Sequence, residues 1–277
     1  MMDDLKYVEK HWYDGEQGQL IERIEQALLQ DGKDPGNLSI DDLAAVDEFH
    51  IRGREATAEV TELADIQADE HVLDVGSGIG GPARYLAFTR GCKVTGIDLT
   101  AEYCDVANYL AEKVGLSDSV RHEQANALEL PFENESFDVA WTQHISMNIA
   151  DKHAFFAEMS RVVKPGGKVV VYDPIKGDEH PLAFPVPWSR DGDISFLVNS
   201  SETRRTLENL DLDITEWQDV SQKSISWFAA NAKQPANPNA LGLNVLLGEQ
   251  WRQMAANMVK NLNDGRISII QVVARKR

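Results

Sequence analysis

The chain has 277 residues, 43% of them hydrophobic, which is enough for one large domain with its own core. Its 27 Lys and Arg face 45 Asp and Glu, a formal net charge of −18 that disfavours nucleic acid as a partner, because phosphate binding needs a basic surface. No stretch is apolar and long enough to cross a bilayer, and the acidic start, Met1-Met2-Asp3-Asp4-Leu5-Lys6, lacks a secretory segment, so the expected location is cytoplasmic.

Residues 1–66 precede the first core strand. Helices are expected at 7–12 and 18–30; in the second, Leu20, Ile21, Ile24, Ala27 and Leu28 form one apolar stripe. A turn-rich break at 31–37 is followed by Ser39-Ile40-Asp41-Asp42, the start of a capped short helix, and by a further helix at 54–64. These pieces read as a helical cap over a ligand site, with Trp12 and Tyr13 as candidates to close over it. Between the helices, Phe49-His50-Ile51-Arg52-Gly53-Arg54 places cations in an otherwise acidic chain. Arg52 is a candidate to pair bidentately with a cofactor carboxylate, or instead with a substrate carboxylate, and His50 is a candidate substrate contact; a surface arginine answering Asp47 and Glu48 is the competing reading.

From 71 onward strands and helices alternate. Strands are expected at 71–75, 92–97, 119–124, 136–142 and 167–173, with helices at 80–90, 101–114 and 152–163, a pattern that predicts an α/β fold with a parallel sheet covered on both faces. Ligands of such sheets sit at the carboxyl ends of the strands. There the first strand runs into Val72-Leu73-Asp74-Val75-Gly76-Ser77-Gly78-Ile79-Gly80-Gly81, a turn that lets backbone approach a ligand closely. Gly76, Gly78 and Gly81 satisfy the dinucleotide template, but Asp74 at the strand end would repel a pyrophosphate and suits a cationic group. No Gly-Lys-Ser/Thr follows, which excludes a Walker A loop. Asp98 ends the second strand about 20 residues further on, the spacing of a ribose-binding carboxylate; capping of the following helix is the alternative.

Beyond the fifth strand, residues 176–199 break the pattern with Pro181, Pro185 and Pro187 among Phe184, Trp188 and Phe196, and read as a semi-rigid loop on the substrate side. Trp188 and Arg190 there would suit a cationic or zwitterionic amine; simple anchoring of the loop is the alternative. A helix at 201–210, a strand at 212–220, a mainly helical insertion at 221–263 around Asn237-Pro238-Asn239 and a last strand at 266–274 complete the chain. Cys92 and Cys104 offer no disulfide framework, and the seven histidines show no metal-ligand spacing, so no metal is expected.

Taken in order, Asp74-Val75-Gly76-Ser77-Gly78-Ile79-Gly80-Gly81, Gly96-Ile97-Asp98-Leu99, Asn126-Ala127-Leu128-Glu129-Leu130-Pro131-Phe132-Glu133 and Val163-Lys164-Pro165-Gly166-Gly167 resemble the motifs of class I S-adenosylmethionine-dependent methyltransferases. The likeness is to the small-molecule branch that holds sarcosine/dimethylglycine and ubiquinone, menaquinone and tocopherol-pathway enzymes. It implies a Rossmann-like, seven-stranded, mostly parallel sheet with an antiparallel last strand. It divides the chain into an N-terminal cap (1–66), a cofactor-binding core (67–175), a substrate-side loop (176–199) and the end of the sheet with its helical insertion (200–277). It also implies S-adenosyl-L-methionine as cofactor, with S-adenosyl-L-homocysteine as product. The resemblance places Asp74, Gly76, Gly78 and Gly80 beneath the methionine part, Asp98 at the ribose, Leu99 against the adenine, and Asn126 and Ala127 at the adenine edge. Asn126 stands where many relatives have Asp, so its amide must be oriented by neighbours.

In such enzymes the segment after the fourth strand, here Gln143-His144-Ile145-Ser146-Met147-Asn148, faces the sulfur and the acceptor. Gln143 and His144 are the catalytic candidates, with Gln143 also a cofactor contact, and Asn148 is a substrate contact. His144 reads equally as functional, a base or a substrate hydrogen-bond partner, and as a structural histidine bonding backbone at the strand end. The leading expectation is N-methylation of a small amino acid or amine of the glycine/sarcosine/dimethylglycine type. The alternative is C- or O-methylation of a quinone, phenol or prenyl-lipid acceptor, and a homo-oligomer is compatible with either. A cofactor-binding protein without catalysis and a nicotinamide-dependent dehydrogenase are the rivals from other classes.

Overall fold

A computed structural model of the protein describes residues 19–178, 181–231 and 241–277. The expected helix at 7–12, Trp12, Tyr13 and the Asn237-Pro238-Asn239 turn lie outside them. Three helices come first: α1 (Leu20–Gln30), α2 (Ile40–Asp47) and α3 (Gly53–Leu63). The alternating core follows as β1 (His71–Val75), α4 (Gly81–Arg90), β2 (Lys93–Asp98), α5 (Ala101–Lys113), β3 (Val120–Gln124), β4 (Phe137–Gln143), α6 (Lys152–Val162) and β5 (Val163–Lys176). The chain closes with α7 (Ser200–Glu208), β6 (Leu212–Asp219), α8 (Ser221–Asn231), α9 (Asn244–Leu247), α10 (Trp251–Asn263) and β7 (Ile267–Lys276).

The seven strands form one sheet in the order β3-β2-β1-β4-β5-β7-β6. β1 pairs parallel with β2 from His71↔Lys93 to Val75↔Ile97, and β4 lies parallel on its other side. β7 runs antiparallel to both β5 and β6. Strand order reverses between β1 and β4, the switch point where open α/β sheets bind ligands. β5 starts earlier than the sequence suggests, because a register shift between Phe137 and Val139 absorbs the Pro165-Gly166-Gly167 segment while pairing with β4 continues.

Side chains alternate between the two faces. Val72, Val94, Val139, Trp141 and Val170 pack with Val60 of α3 and Leu86 of α4. Leu73, Ile97, Ala140 and Val169 pack with Phe155, Phe156 and Met159 of α6. Both faces are covered, so the buried positions of the central strands are mostly apolar; burying each large side chain contributes about 1.5–3 kcal/mol.

A third core joins the first helices to the last insertion. Leu20, Ile24 and Leu28 of α1 and Leu43 and Val46 of α2 meet Val106 and Leu110 of α5, together with Leu241 and Val245. The Leu20 N–H donates to Glu102 Oε1 at 2.9 Å, the Leu241 N–H donates to Asp31 Oδ2 at 2.9 Å, and the Arg23 guanidinium donates to the Val245 carbonyl. Ser39 and Asp42 cap α2 reciprocally. No helix among the described residues is long and apolar enough to cross a membrane.

Candidate active site

A cavity of about 1430 Å³ opens at the carboxyl ends of β1, β2 and β4. Its floor is the glycine turn. The Gly76 and Ser77 N–H groups both donate to the Ile97 carbonyl, at 2.9 and 2.8 Å, which folds the turn over the end of β2. Gly76 has φ 77°, and a Cβ there would stand 2.3 Å from Ile145 Cδ1. Gly78 has φ 52°, and a Cβ there would meet nothing within 4 Å, so its backbone is open to the cavity. Gly80 does not line the cavity; it sits at the start of α4 at φ 80°, where a Cβ would press on the His122 ring at 2.7 Å. Its requirement for glycine is a packing one.

Asp74, Asp98, Leu99, Asn126 and Ala127 all line the same cavity. Asp98 accepts the Gly78 N–H through Oδ2 and the Thr100 N–H through Oδ1, each at 2.9 Å. It therefore ties the glycine turn and the start of α5 together while facing the cavity, and burial raises its pKa. Asn126 Oδ1 accepts the Leu128 N–H at 3.0 Å. That bond assigns the amide orientation and leaves its NH2 as the donor available to a ring nitrogen.

Five polar side chains on the wall carry buried atoms that lack a hydrogen-bond partner among the described residues: Asp47 Oδ2, Asp74 Oδ2, Ser77 Oγ, both amide atoms of Gln143, and His144 Nε2. Burial pushes the Asp74 carboxyl up to about 8, and the nearby Asp98 and Glu48 add to the shift. A buried carboxyl without a partner suits a ligand that brings its own cation, and Ser77 and Gln143 offer the donors that a carboxylate beside that cation would take. This donor set fits the amino-acid end of S-adenosylmethionine.

After β4 the chain makes a turn held from beneath by buried charges. His144 has φ 54°, a strained backbone for a non-glycine residue, and its N–H donates to the Tyr172 carbonyl at 2.8 Å. Asp173 accepts the Ile145 and Ser146 N–H groups at 2.8 and 3.3 Å; burial raises it to about 6. Lys152, lowered to about 8 by burial, donates to the Ser146 and Ile149 carbonyls. Burial also holds His144 well below the usual histidine range, so its ring is neutral, and the neighbouring His50 adds to that effect.

His50 lines the cavity with its ring centroid 5.8 Å from that of His144. Its Nε2 lies 3.0 Å from Glu48 Oε2 and 3.0 Å from Thr57 Oγ1. The Thr57 hydroxyl donates to the same Glu48 oxygen at 2.8 Å, and Arg54 Nε donates to the other at 3.0 Å. Burial pulls the Glu48 pKa upward, but the bonds from His50 and Thr57 outweigh it and the net direction is down. Glu48 and Thr57 are not legible as site residues in the sequence: they lie two residues before and seven after His50, across the start of α3.

The remaining expected residues divide. Arg52 is not on the cavity wall; it is buried in a left-handed conformation and grips Glu59 through two bonds of 2.9 and 2.6 Å, which leaves it no fork for a ligand carboxylate. Arg190 is exposed and off the wall. Asn148 lines the cavity, but its NH2 donates to the Trp188 and Ile194 carbonyls at 2.8 and 2.9 Å, clamping the loop to the β4 turn. Trp188 is 1% exposed, lines the cavity and donates from Nε1 to Ser195 Oγ at 2.9 Å. Phe196 lines it also, whereas Phe184 turns into the core. Beyond them Trp227, Phe228, Leu246 and Trp251 roof the far side from the 221–263 insertion. No sequence period marks these four, because a short amphipathic helix does not say which apolar surface it covers.

The chain is similar in sequence and in fold to known methyltransferases. A family described as "Methyltransferase domain" matches residues 73–171. The chain is 30% identical over 194 residues to methyltransferase GfsG of Streptomyces halstedii, covering 66% of this chain and 67% of the relative. It is 37% identical over 114 residues to the chloroplastic tocopherol O-methyltransferase of Arabidopsis thaliana, and 30% identical over 158 residues to the glycine/sarcosine/dimethylglycine N-methyltransferase of Actinopolyspora halophila. Those matches cover 41% and 57% of this chain but only 33% and 28% of the relatives. The fold is shared with a geranyl diphosphate methyltransferase solved with its diphosphate and sinefungin, at a TM-score of 0.70 and 21% identity over 99% of this chain and 98% of that one. The chain belongs to the class I S-adenosylmethionine-dependent methyltransferases. It is a small-molecule methyltransferase of that class, among relatives that methylate nitrogen, oxygen and carbon.

Proposed function

We propose that this enzyme methylates oxygen or an activated carbon of a bulky, largely apolar small molecule. The observation that carries this reading is the acceptor side of the cavity, walled by Met147, Trp188, Phe196, Trp227, Phe228 and Trp251. Ligand pockets usually measure about 300–1,000 Å³; at about 1430 Å³ this cavity has room for a cofactor and a large second molecule.

The glycine-type alternative needs a cation to receive the acceptor's carboxylate. Arg52 and Arg190, the residues that motivated it, are elsewhere, and Arg252 is the one Lys or Arg on the wall among the described residues, exposed and stacked over Trp251. The tocopherol O-methyltransferase relative, named for an apolar acceptor, supports the same reading.

In the proposed division of labour, Asp98, Leu99, Asn126 and Ala127 hold the adenosine, and Asp74, Ser77 and Gln143 the amino-acid end. Helices α1–α3 serve as a cap, and α8–α10 with the 176–199 loop as a lid on the acceptor. When bound, S-adenosylmethionine supplies an activated methyl group. The protein's contribution is to fix the acceptor in line and to keep water out, and proximity and orientation supply most of the gain. Asn148, Asp173 and Lys152 make that alignment rigid by fixing the β4 turn.

The test is label transfer from methyl-labelled S-adenosylmethionine to two sets of acceptors: naphthols, prenylated phenols and quinols, against glycine, sarcosine and dimethylglycine. Transfer to the first set is expected. Efficient transfer confined to the second would refute the reading.

A further inference from the structure

We propose that His144 is the catalytic residue for a hydroxyl acceptor: Nδ1 of its ring orients the hydroxyl and takes its proton as the methyl group transfers. The inference rests on the reading of an oxygen acceptor given above.

His144 stands at the joint between the two halves of the cavity. Gln143, on the cofactor side, precedes it at the end of β4, and Met147, on the acceptor wall, follows closely. A residue with a side chain pays for a φ of 54°, and such strain persists only where the surroundings over-determine it. Here they do: the Tyr172 carbonyl accepts the His144 N–H, and the Asp173 carboxylate accepts the next two.

A histidine placed for structure would spend its ring on a backbone group. His144 does not. Neither of its ring nitrogens has a hydrogen-bond partner among the described residues. Nε2 is shut off against protein, so Nδ1 is the nitrogen open to the cavity. Its neighbours offer no substitute. His50 is closed to a ligand, with Nδ1 3.3 Å from the Ile51 carbonyl and Nε2 3.0 Å from both Glu48 Oε2 and Thr57 Oγ1. The Tyr172 hydroxyl donates to the Ile51 carbonyl at 2.7 Å, and its ring only flanks that of His144, centroid to centroid 5.0 Å. Burial, with His50 adding to it, keeps the His144 imidazole neutral, so one nitrogen carries a lone pair. With a hydroxyl at Nδ1, the ring's own proton is on Nε2.

A weakly basic imidazole suits the step. An oxygen lone pair of the acceptor forms the new O–CH3 bond, and the S–CH3 bond breaks with its electron pair kept by sulfur. As the bond forms, the oxygen becomes an oxonium, a far stronger acid than the free hydroxyl. Its proton passes along the existing hydrogen bond to Nδ1 and then to solvent.

The test uses the full-length enzyme with 2-naphthol and with nitro-substituted naphthols that are already ionised at pH 8. Two substitutions keep the backbone, because Gly and Asn both accept a positive φ. General-base removal costs about 100- to 10,000-fold in rate. H144G should lose about 100-fold or more in kcat/KM on 2-naphthol and no more than about tenfold on the ionised acceptors, with the Kd for S-adenosylmethionine within about twofold. H144N, whose amide can hold the hydroxyl but not take its proton, should keep the KM for 2-naphthol within about threefold and lose about 100-fold in kcat. An equal loss on every acceptor, or wild-type turnover of 2-naphthol by H144N, would overturn the assignment and leave the acceptor class standing. Methylation of the corresponding naphthylamines with none of the naphthols would overturn both. Independently of turnover, long-range 15N–1H NMR of the wild-type enzyme with S-adenosylhomocysteine and 2-naphthol bound should show His144 as the Nε2–H tautomer; the Nδ1–H tautomer would overturn the proposal.

Discussion

Cofactor binding should change the protonation of Asp74. Its carboxyl is buried, has an unpartnered oxygen, and is raised to about 8, so at pH 7 it is mostly protonated without ligand. The amino group of S-adenosylmethionine, with an ordinary α-amino pKa of about 7.7–8.0, arrives at pH 7 as an ammonium. The bound pair shares one proton where the separate partners carried nearly two, so binding at pH 7 should release about 0.8 proton. Each unit of pH below 8 costs about 1.4 kcal/mol of binding, a tenfold weaker Kd. Affinity should therefore rise tenfold per unit from pH 6, level off near 8, and fall above it as the free amine loses its proton. Calorimetry of the wild-type enzyme in buffers of different ionisation enthalpy reads both the affinity and the proton count. D74N should bind more weakly at pH 8 by about 1.5–3 kcal/mol, the worth of a charged hydrogen bond, and should lose the rise between pH 6 and 8. Unchanged proton release in D74N would refute the reasoning.

The same group sets a stability trend of opposite sense. A carboxyl raised on folding binds more protons in the native state than in the unfolded chain between about 4 and 8, so stability without ligand falls as pH rises through that window. D74N should raise the Tm of the ligand-free enzyme at pH 8 and leave it nearly unchanged at pH 4. Arg84 and Asp47 form a fully buried ion pair, and R84M, which strands the carboxylate, should cost about 3–5 kcal/mol at pH 7 by thermal or denaturant unfolding. The loss should shrink below pH 6, where Asp47, raised by burial against the pull of Arg84, protonates. N148D removes both donors to the Trp188 and Ile194 carbonyls; the acceptor KM should rise about tenfold while the Kd for S-adenosylmethionine stays within about twofold, as read by steady-state kinetics and calorimetry. R52M should leave cofactor affinity within about twofold and lower stability by about 1 kcal/mol, because Arg52 serves Glu59; a tenfold loss of cofactor affinity would return it to the cofactor site.

Much of the fold was legible because both of its signals are local. Apolar runs such as Val169–Val171 are buried on both sides of the sheet, and a strand of that kind needs no partner to be recognised. The glycine turn and Asp98 were legible because a tight turn and a strand-end carboxylate have fixed spacings along the chain. Arg52 misled for the opposite reason: a guanidinium beside a candidate site says nothing of which carboxylate it reaches, and Glu59, well inside α3, takes it. The Glu48–His50–Thr57 cluster and the lid aromatics stayed hidden because they depend on where α3 and the 221–263 insertion pack, which is a tertiary fact with no period of its own.

The central claim is one cavity with an S-adenosylmethionine half and a large apolar acceptor half meeting at the two histidines. A crystal structure with S-adenosylhomocysteine and a naphthol tests it most directly. The amino group is expected on Asp74, the adenine between Leu99 and Asn126, and the naphthol ring among Trp188, Trp227 and Trp251. A naphthol bound away from those aromatics, or an amino-acid end turned away from Asp74, would contradict it.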